Sequence, residues 1–250
     1  EGLTKIEEEA FMYCSGLETV TLPNTLTTIE MGAFHQHSSL SKFYGKFAAE
    51  DGRCIIVDGV LNAFASACGV TEYTIPNIVT TIGDYAFFYC ESLTSITIHN
   101  NVTTIGDYAF YRCSSLVDVT IPDSVTTIGD YAFYSCLNLT SVTLSDSVTT
   151  IEDYAFSSCE QLVNITMGNS VMSIGEGTFS NCTSLTSIVI PDSVTSIDEE
   201  AFSGCVNIEE FKGKSAADNG CSLIVDNTLI AFAPACNATE YNIPNGVTRI

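Results

Sequence analysis

The chain carries an internal repeat, and this repeat constrains its fold more than any other feature of the sequence. A phenylalanine preceded by Ala, or once by Thr, recurs eight times, and from Phe87 to Phe202 the spacing is a constant 23 residues. A unit of 23 residues is too short to bury its own apolar face, whereas stacked units cover one another. The repeat therefore predicts a solenoid with ladders of like side chains inside. The eight positions are Phe11, Phe34, Phe87, Phe110, Phe133, Phe156, Phe179 and Phe202.

One unit shows the elements expected in each turn. The stretch 116–121 is rich in β-branched residues and alternates over its second half, which predicts a strand that Pro122 ends. The stretch 125–128 predicts a second extended piece. The stretch 129–133 predicts a tight turn or a short helical turn, because Gly and Asp supply turn chemistry there. Paired strands of adjacent turns are expected to lie about 4.8 Å apart.

Two segments interrupt the 23-residue period. The interval from Phe34 to Phe87 exceeds two periods, and the segment 43–64 returns as a near copy at 211–232. Each copy reads as two extended runs around a turn dipeptide, Asp58-Gly59 in the first and Asp226-Asn227 in the second. We therefore predict β-hairpin insertions at about 43–75 and 211–243 in a single solenoid that spans residues 1–250.

The repeat also has a recognisable signature. The segment 93–98 followed by Ile105-Gly-Asp-Tyr-Ala-Phe110 and Cys113 resembles the Treponema-type, or BspA-like, leucine-rich repeats. The chain departs from its own pattern at His37, which stands where most repeats have Cys, and at Thr178, which replaces Ala. Because the first and last repeats are incomplete, we expect the chain to be a fragment of a longer protein.

The resemblance implies both a fold and a role. The fold would be a right-handed, curved leucine-rich-repeat solenoid of the α/β repeat class. It would be β-dominated, with parallel strands on the concave side and short helical or 3₁₀ turns on the convex side. The role would be that of a cell-surface or extracellular protein that adheres to host proteins or to other cells. The implied partners are a protein or a glycan at a cell surface.

Charge narrows the range of partners. Thirty acidic and eight basic residues give a net charge of −22, which argues against nucleic acid as a partner. No apolar run is long enough to span a bilayer, so direct membrane insertion of this segment is not expected. Five basic residues cluster in or beside the insertions, either as basic knobs that select a partner or as solubilising residues on a spacer. They are Lys42, Lys46, Arg53, Lys212 and Lys214.

The cysteines predict structure rather than chemistry. Seven of the eleven stand three residues after a repeat phenylalanine, so they should form an inward row of free thiols, because parallel side chains do not converge to disulfide geometry. The other four belong to the insertions, where a bridge within each insertion is an alternative to free thiols. The sequence has no Cys-x-x-Cys spacing and no coherent Ser/His/Asp or Cys/His set. We therefore expect no metal, no cofactor and no enzymatic activity.

Three rows of side chains are candidates for binding. An acidic row, which includes Asp84, Asp107, Asp130, Asp153, Glu176 and Glu199, would hold Ca²⁺ or simply form a solvated face. A tyrosine strip would contact a partner or serve lateral packing; it comprises Tyr85, Tyr108, Tyr131, Tyr154, Tyr111 and Tyr134. The predicted concave strand face presents Ser95, Thr97, Asp118, Thr120, Ser141, Thr143, Asn164 and Thr166.

These rows leave two functions open. The first is a binding module that presents the tyrosine strip and the strand face to a protein or glycan. The alternative is a structural spacer, or a rod that self-associates end to end and has no dedicated ligand.

Overall fold

Successive turns of the chain stack in parallel register in the computed structural model, which describes residues 2–198, 200–217 and 220–250. The register equals the sequence period, because Thr104 pairs with Thr127 on one side. On the other side, Thr104 pairs with Thr81. The predicted solenoid is thereby confirmed, while its handedness and curvature stay predictions.

Each ordinary turn contributes one three-residue strand and one two-residue strand, to two different sheets. The strands are β1 (Lys5–Ile6), β2 (Thr19–Leu22), β3 (Thr28–Ile29), β4 (Lys42–Gly45), β5 (Cys54–Val57), β6 (Val60–Phe64), β7 (Glu72–Thr74), β8 (Thr81–Ile82), β9 (Ser95–Thr97), β10 (Thr104–Ile105), β11 (Asp118–Thr120), β12 (Thr127–Ile128), β13 (Ser141–Thr143), β14 (Thr150–Ile151), β15 (Asn164–Thr166), β16 (Ser173–Ile174), β17 (Ser187–Val189), β18 (Ser196–Ile197), β19 (Glu210–Lys212), β20 (Ser222–Val225) and β21 (Thr228–Phe232).

The first insertion changes the strand pairing of both sheets. The two-residue strands form an eight-stranded sheet in the order β18-β16-β14-β12-β10-β8-β6-β5, so strand β6 of the first hairpin continues that sheet. The three-residue strands form a five-stranded sheet that begins at β7. Strand β4 pairs with β2 instead. The two-residue strands β1 and β3 also form a separate pair, so the insertion ends the pairing in both columns of strands, although β6 joins the sheet that follows.

The expected helical turns are not present. Within the described residues there is no helix, and hence none long and apolar enough to cross a membrane. The segment around each repeat phenylalanine contains two residues with positive φ, at the positions two before and two after it; in one turn they are Tyr131 (54°) and Ser135 (58°). A helix needs consecutive residues in the right-handed region, so these two left-handed residues prevent it from forming.

The same segment hydrogen-bonds to the next turn instead of to itself. The N–H groups of Tyr85, Phe87 and Tyr89 donate to carbonyls of the following turn, at 2.9, 2.7 and 2.9 Å. The acceptors are the carbonyl groups of Asp107, Ala109 and Tyr111. A third ladder of backbone hydrogen bonds therefore joins the turns, in addition to the two sheets.

The core consists of ladders, as the repeat predicts. The phenylalanine rings stack with centroid separations of 4.9 Å between Phe87 and Phe110 and between Phe110 and Phe133. The planes of these two pairs are inclined by only 9° and 7°. The predicted inward cysteine row is confirmed for six members, which are buried with free thiols, whereas Cys14 is exposed. The six are Cys90, Cys113, Cys136, Cys159, Cys182 and Cys205.

The buried thiols of this row have defined partners. The Cys113 Sγ–H donates to the Phe87 carbonyl at 3.2 Å, and the Cys136 Sγ–H donates to the Phe110 carbonyl at 3.3 Å. Burial raises the pKa of Cys113 well above its usual range, so the thiol keeps its proton and remains a donor. Each thiol adds a second hydrogen bond to a buried carbonyl that already accepts from a backbone N–H, that of Cys90 for Phe87 and that of Cys113 for Phe110.

Both insertions contain antiparallel hairpins. Strands β5 and β6 meet at a turn in which Asp58 (φ 49°) and Gly59 (φ 82°) both have positive φ. Strands β20 and β21 meet in the same way at Asp226 (47°) and Asn227 (58°). Two successive positive φ values match the hairpin turn whose twist suits the flanking strands.

Candidate functional site

The tyrosine strip is one continuous stack of aromatic rings. Tyr85, Tyr108, Tyr131 and Tyr154 lie 4.9–5.0 Å apart between ring centroids, with planes within 12° of parallel. A second row beside them is formed by Phe88, Tyr111 and Tyr134 at 4.8–5.0 Å. The two rows touch, since the ring centroids of Tyr108 and Tyr111 are 5.7 Å apart. All six tyrosines of the strip are half-buried, so each ring presents one side to solvent.

The four tyrosines of the first row occupy unusual backbone conformations. Their φ values lie between 54° and 59°, in the left-handed region. Two other turns have glycine at this repeat position, namely Gly32 and Gly177. Left-handed backbone costs a residue with a side chain about 1–2 kcal/mol, a cost that glycine does not carry. Ring stacking offsets part of this cost in these turns.

The acidic row caps backbone groups of the following turn. Oδ1 of Asp84 accepts from the Asp107 N–H at 2.9 Å, and Oδ1 of Asp107 accepts from the Asp130 N–H at 2.9 Å. The row continues in this way to Asp153, whose Oδ1 accepts from the Glu176 N–H at 2.8 Å. Glu199 lies outside the described residues. These aspartates therefore have a structural partner, in addition to the exposed or half-buried surface that they contribute.

The glycine of the Ile-Gly-Asp-Tyr-Ala-Phe motif makes room for this cap. A Cβ on Gly106 would lie 2.3 Å from the Asp84 Oδ1, and one on Gly129 would lie 2.4 Å from the Asp107 Oδ1. Partial burial, together with the neighbouring carboxylates, raises the pKa of Asp84 and of Asp130. In the described part of the chain, no group of three or more His, Cys, Asp or Glu side chains is placed to hold a metal ion.

The strand face is mostly exposed, with Ser95 and Ser141 half-buried. Thr97, Asp118, Thr120, Thr143 and Asn164 are exposed, and the alternate residues of the same strands, such as Val119, are buried. Threonines in the adjoining column donate to carbonyls of the preceding turn. The face therefore offers hydroxyl groups with little charge, as the sequence predicts.

The basic residues of the two insertions are mostly engaged by their own neighbours. Arg53 lies 3.7 Å from Asp51, and Lys212 lies 2.6 Å from Glu210. The Lys46 ammonium donates to the Leu26 carbonyl, while the Lys42 ammonium lies 5.4 Å from the Tyr44 ring centroid. Lys214 is exposed. The two sets belong to different ends of the stack and do not form one patch.

One candidate site has no counterpart in the sequence analysis. A cleft of about 620 Å³, here called the junction cleft, opens beside the first insertion and is lined by residues of four separate stretches, 13, 36–38, 66–69 and 89–92. Its wall includes His37, whose only sequence signal is the departure from the repeat cysteine. A departure of this kind next to an insertion is the signal that could have identified the cleft.

Comparison with known sequences and structures agrees with this geometry. A family model described as BspA type leucine rich repeat region matches in six copies, over residues 1–46, 61–159 and 126–250. A leucine-rich repeat protein from Eubacterium ventriosum is 27% identical, with a TM-score of 0.64 over 87% of this chain and 66% of that one. A comparison with curated proteins finds no significant match.

Two further structures are similar. The leucine rich repeat protein TpLRR of T. pallidum is 29% identical, with a TM-score of 0.48 over 65% of each chain. PcpA, described as a pneumococcal vaccine antigen, is 20% identical, with a TM-score of 0.56 over 84% of this chain and 49% of that one. At that identity PcpA shows the shared fold alone. The chain spans at most 66% of the length of these three relatives.

Proposed function

The chain belongs to the BspA-type leucine-rich-repeat family, and from this premise we propose that it is a non-enzymatic protein-interaction module of a cell-surface or secreted protein. Its role is adhesion to host proteins, glycans or other cells. The tyrosine strip is the main contact surface, and the strand face contributes hydroxyl groups beside it. Tyrosine suits this role because it supplies a large contact area at a low cost in side-chain entropy.

The observation that carries the proposal is the backbone of the first tyrosine row. Four successive turns place tyrosine at a left-handed position where two other turns of the same chain have glycine and two have glutamate, Glu9 and Glu200. Strained residues persist where the surrounding structure holds them, and they cluster at functional sites. Since the same backbone position accepts glycine and glutamate elsewhere, the backbone does not require tyrosine, and the unbroken run of four aromatic rings is a property of the side chains. The exposed ring edges therefore support a binding role.

A paired substitution tests this proposal. In Tyr108→Gly with Tyr131→Gly, the backbone is relieved of strain, as Gly177 illustrates, and two rings of the strip are removed. We expect the variant to keep its circular dichroism spectrum and to bind immobilised matrix proteins and glycans at least about tenfold more weakly, as expected for loss of two aromatic contacts. Surface plasmon resonance measures this affinity. The control is Tyr44→Ser, which removes an exposed tyrosine outside the strip.

Two outcomes contradict the proposed binding role. Equal binding by the paired variant and the wild-type chain would remove the tyrosine strip as the contact surface. A wild-type chain that binds no member of the protein and glycan panels would contradict the adhesion role itself. In a separate experiment, surface labelling of intact cells that leaves the protein untouched would contradict the proposed location.

End-to-end self-association is a second candidate, favoured by the second hairpin. Phe232 and Ile243 are 40% and 52% exposed, whereas their counterparts in the first insertion, Phe64 and Ile75, are 6% and 1% exposed. An apolar face of this kind is stabilised by whatever stacks on it, a further turn or a second molecule. Light scattering over a concentration series should show growing oligomers that Phe232→Ser prevents. A constant monomer mass would contradict this candidate.

A further inference from the structure

The junction cleft exists because the first hairpin lacks part of an ordinary turn. An ordinary turn places a Gly-Asp-Tyr-Ala-Phe segment between its neighbours, and the hairpin turn of residues 54–64 has none. On one flank the gap is closed, because His35 stacks on Tyr85 with ring centroids 4.5 Å apart. On the other flank it stays open, and Gln36 and His37 line one side while Tyr89 and Glu91 line the other.

The wall of the cleft contains two hydrogen-bond acceptors without partners. His37 is only 4% exposed, and its Nδ1 lies 3.3 Å from the Cys14 carbonyl oxygen. Because a carbonyl only accepts, Nδ1 carries the hydrogen, and Nε2 is left as an acceptor that has no partner. Burial lowers the pKa of His37, which favours this neutral form. The buried Oε1 of Gln36 also has no partner.

Two serine hydroxyls of the cleft wall are available to a ligand as acceptors. The Ser66 hydroxyl donates to the His37 carbonyl, and the Ser92 hydroxyl donates to the Val70 carbonyl at 3.3 Å. Their hydrogens are thus used within the chain, and their lone pairs remain. Glu91 is exposed and adds a carboxylate, and no Lys or Arg is among the described residues that line the cleft. The Glu91 carboxylate and these lone pairs favour a ligand that supplies hydrogen-bond donors, beside the Tyr13 and Tyr89 hydroxyls and the Gln36 amide, which can donate as well.

Aromatic rings and net charge narrow the ligand class further. Tyr13 is 67% exposed at the mouth of the cleft. Tyr89 already receives the guanidinium of Arg112, 5.4 Å from its ring centroid. Tyrosine faces attract cations, and a chain of net charge −22 favours them at long range. A sugar matches this wall less well than an ammonium does, because it carries no positive charge to pair with the Glu91 carboxylate.

We propose that the junction cleft binds the cationic head of a lysine or arginine side chain presented by a partner protein. The head donates hydrogen bonds to the Glu91 carboxylate and to the unpartnered acceptors of Gln36 and His37, and it lies against the ring of Tyr13. The cleft and its preference for a cation stand on the residues above. The identity of the donor as a partner protein rests on the proposed interaction function.

Small probes test the cleft without any protein partner. The intact chain is titrated by NMR with Nα-acetyl-lysine amide and, as the uncharged match, Nα-acetyl-norleucine amide. We expect saturable shifts at Tyr13 and His37 with the lysine probe, at least about tenfold weaker binding of the norleucine probe, and weaker lysine binding at high salt. Equal binding of both probes, no saturable shift, or tighter binding of N-acetylglucosamine would overturn the proposal.

Matched variants locate the site. Glu91→Gln removes one carboxylate from the cleft, whereas Glu160→Gln removes the carboxylate at the same repeat position three turns later. We expect Glu91→Gln to weaken lysine binding about tenfold, the loss of one charge-assisted hydrogen bond, and Glu160→Gln to leave it unchanged. Equal effects of the two would overturn the assignment. His37→Cys restores the repeat residue, so it should fold and also bind more weakly.

Two further comparisons identify the source of the cation and distinguish failure of the cleft proposal from failure of the proposed function. A peptide with one lysine should bind at least as tightly as spermidine; much tighter binding of spermidine would make a free polyamine the ligand and overturn the partner-protein assignment. If lysine probes fail while matrix proteins still bind through the tyrosine strip, the cleft proposal alone is wrong. If the probes bind and no protein does, the proposed interaction function alone is wrong.

Discussion

The first cysteine of the inserted segment stands one residue later in the first copy than in the second. This shift decides whether the insertion contains a disulfide. The first hairpin begins with Arg53-Cys54 and the second with Cys221-Ser222, at the same place in the two copies of the segment. Cys221 forms a disulfide with Cys236, whereas Cys54 and Cys68 are free. Successive residues of a strand point to opposite faces, so a cysteine one position later points away from its former partner.

Cys54 makes the tyrosine contact that a serine makes in the second hairpin. The Cys54 Sγ lies 3.3 Å from the Tyr73 hydroxyl, and the Ser222 hydroxyl hydrogen-bonds to the Tyr241 hydroxyl in the second hairpin. The tyrosine at this position thus keeps a polar partner in both copies. The comparison teaches that near-identical segments of one chain can differ in covalent structure while they share a backbone and a hydrogen-bond pattern.

Burial is the second difference between the hairpins. The first hairpin lies between two cores: Ile55 and Ala63 face the preceding turns, and Ile56 and Leu61 face the following ones. The second hairpin is packed through Leu223 on one face, while Leu229 is half-buried and Phe232 is exposed. The same segment is therefore an internal layer in one place and a boundary layer in the other.

The largest predicted effect follows from this difference in burial. Leu61→Ala should lower the free energy of unfolding by about 3–5 kcal/mol, because Leu61 is fully buried and its removal leaves a cavity. Leu229→Ala, the matched change in the second hairpin, should cost less than about 1 kcal/mol, because the side chain is only half-buried. Urea unfolding followed by circular dichroism measures both values.

One result would contradict the predicted difference in unfolding free energy between Leu61→Ala and Leu229→Ala. If Leu229→Ala costs as much as Leu61→Ala, the second hairpin is covered in solution as fully as the first. Light scattering on the same samples then tests whether a second molecule supplies the cover.

A smaller effect is expected from the disulfide. Cys236→Ser opens a loop of 15 residues, and loops of that size contribute about 3 kcal/mol when closed. Cys68→Ser, its counterpart, should cost less than about 1 kcal/mol because Cys68 is a half-buried free thiol. Unfolding with and without a reductant measures both. A native chain that is insensitive to reductant would contradict the pairing.

The disulfide of the second insertion can also be introduced into the first. The double change Arg53→Cys with Cys54→Ser gives the first hairpin the cysteine position of the second and leaves a hydroxyl for Tyr73. We expect the introduced thiol at position 53 to form a bridge with Cys68 under oxidising conditions. Mass spectrometry of alkylated peptides should show that both thiols are protected. If both are alkylated instead, the one-residue shift is not what separates the hairpins.

The sequence predicts the regular part of this molecule well. A fixed period dictates that each apolar position meets its counterpart in the next turn, and the Phe110 ring and the Cys113 thiol lie where that rule places them. The strand face follows from alternation in the same way. The hairpins follow from the Asp-Gly and Asp-Asn turns, together with the recurrence of the whole segment.

Three features could not be obtained from the pattern. Tyrosine rarely adopts left-handed backbone, so the residues around Tyr131 predict a helical turn, whereas backbone hydrogen bonds to the next turn hold them in another conformation. The bridge at Cys221 depends on which face of a strand each thiol occupies, which composition does not reveal. The junction cleft results from a missing segment, and no motif marks an absence. Only His37, out of pattern beside the insertion, hints at it.

The smallest predicted effect concerns the thiol that the shift leaves beside Tyr73. Burial raises the pKa of Cys54 to about 11, while the hydrogen bond from Tyr73 lowers it in part. Cys54 is fully buried, so a reagent reaches it only through local opening, and because the thiolate is the reactive form, its alkylation should accelerate from pH 8 up to about pH 11. Tyr73→Phe removes the stabilising hydroxyl and should slow alkylation at each pH several-fold.

Peptide mass spectrometry after timed iodoacetamide treatment measures these alkylation rates, with exposed Cys14 as the internal reference. Slower alkylation in Tyr73→Phe would show that the tyrosine hydroxyl stabilises the Cys54 thiolate, as the hydrogen bond predicts. Faster alkylation would mean that the tyrosine shields this thiol more than it stabilises the thiolate. The two hairpins would then share a contact without sharing its chemistry, because the Ser222 hydroxyl that meets Tyr241 has no reactive anion to stabilise.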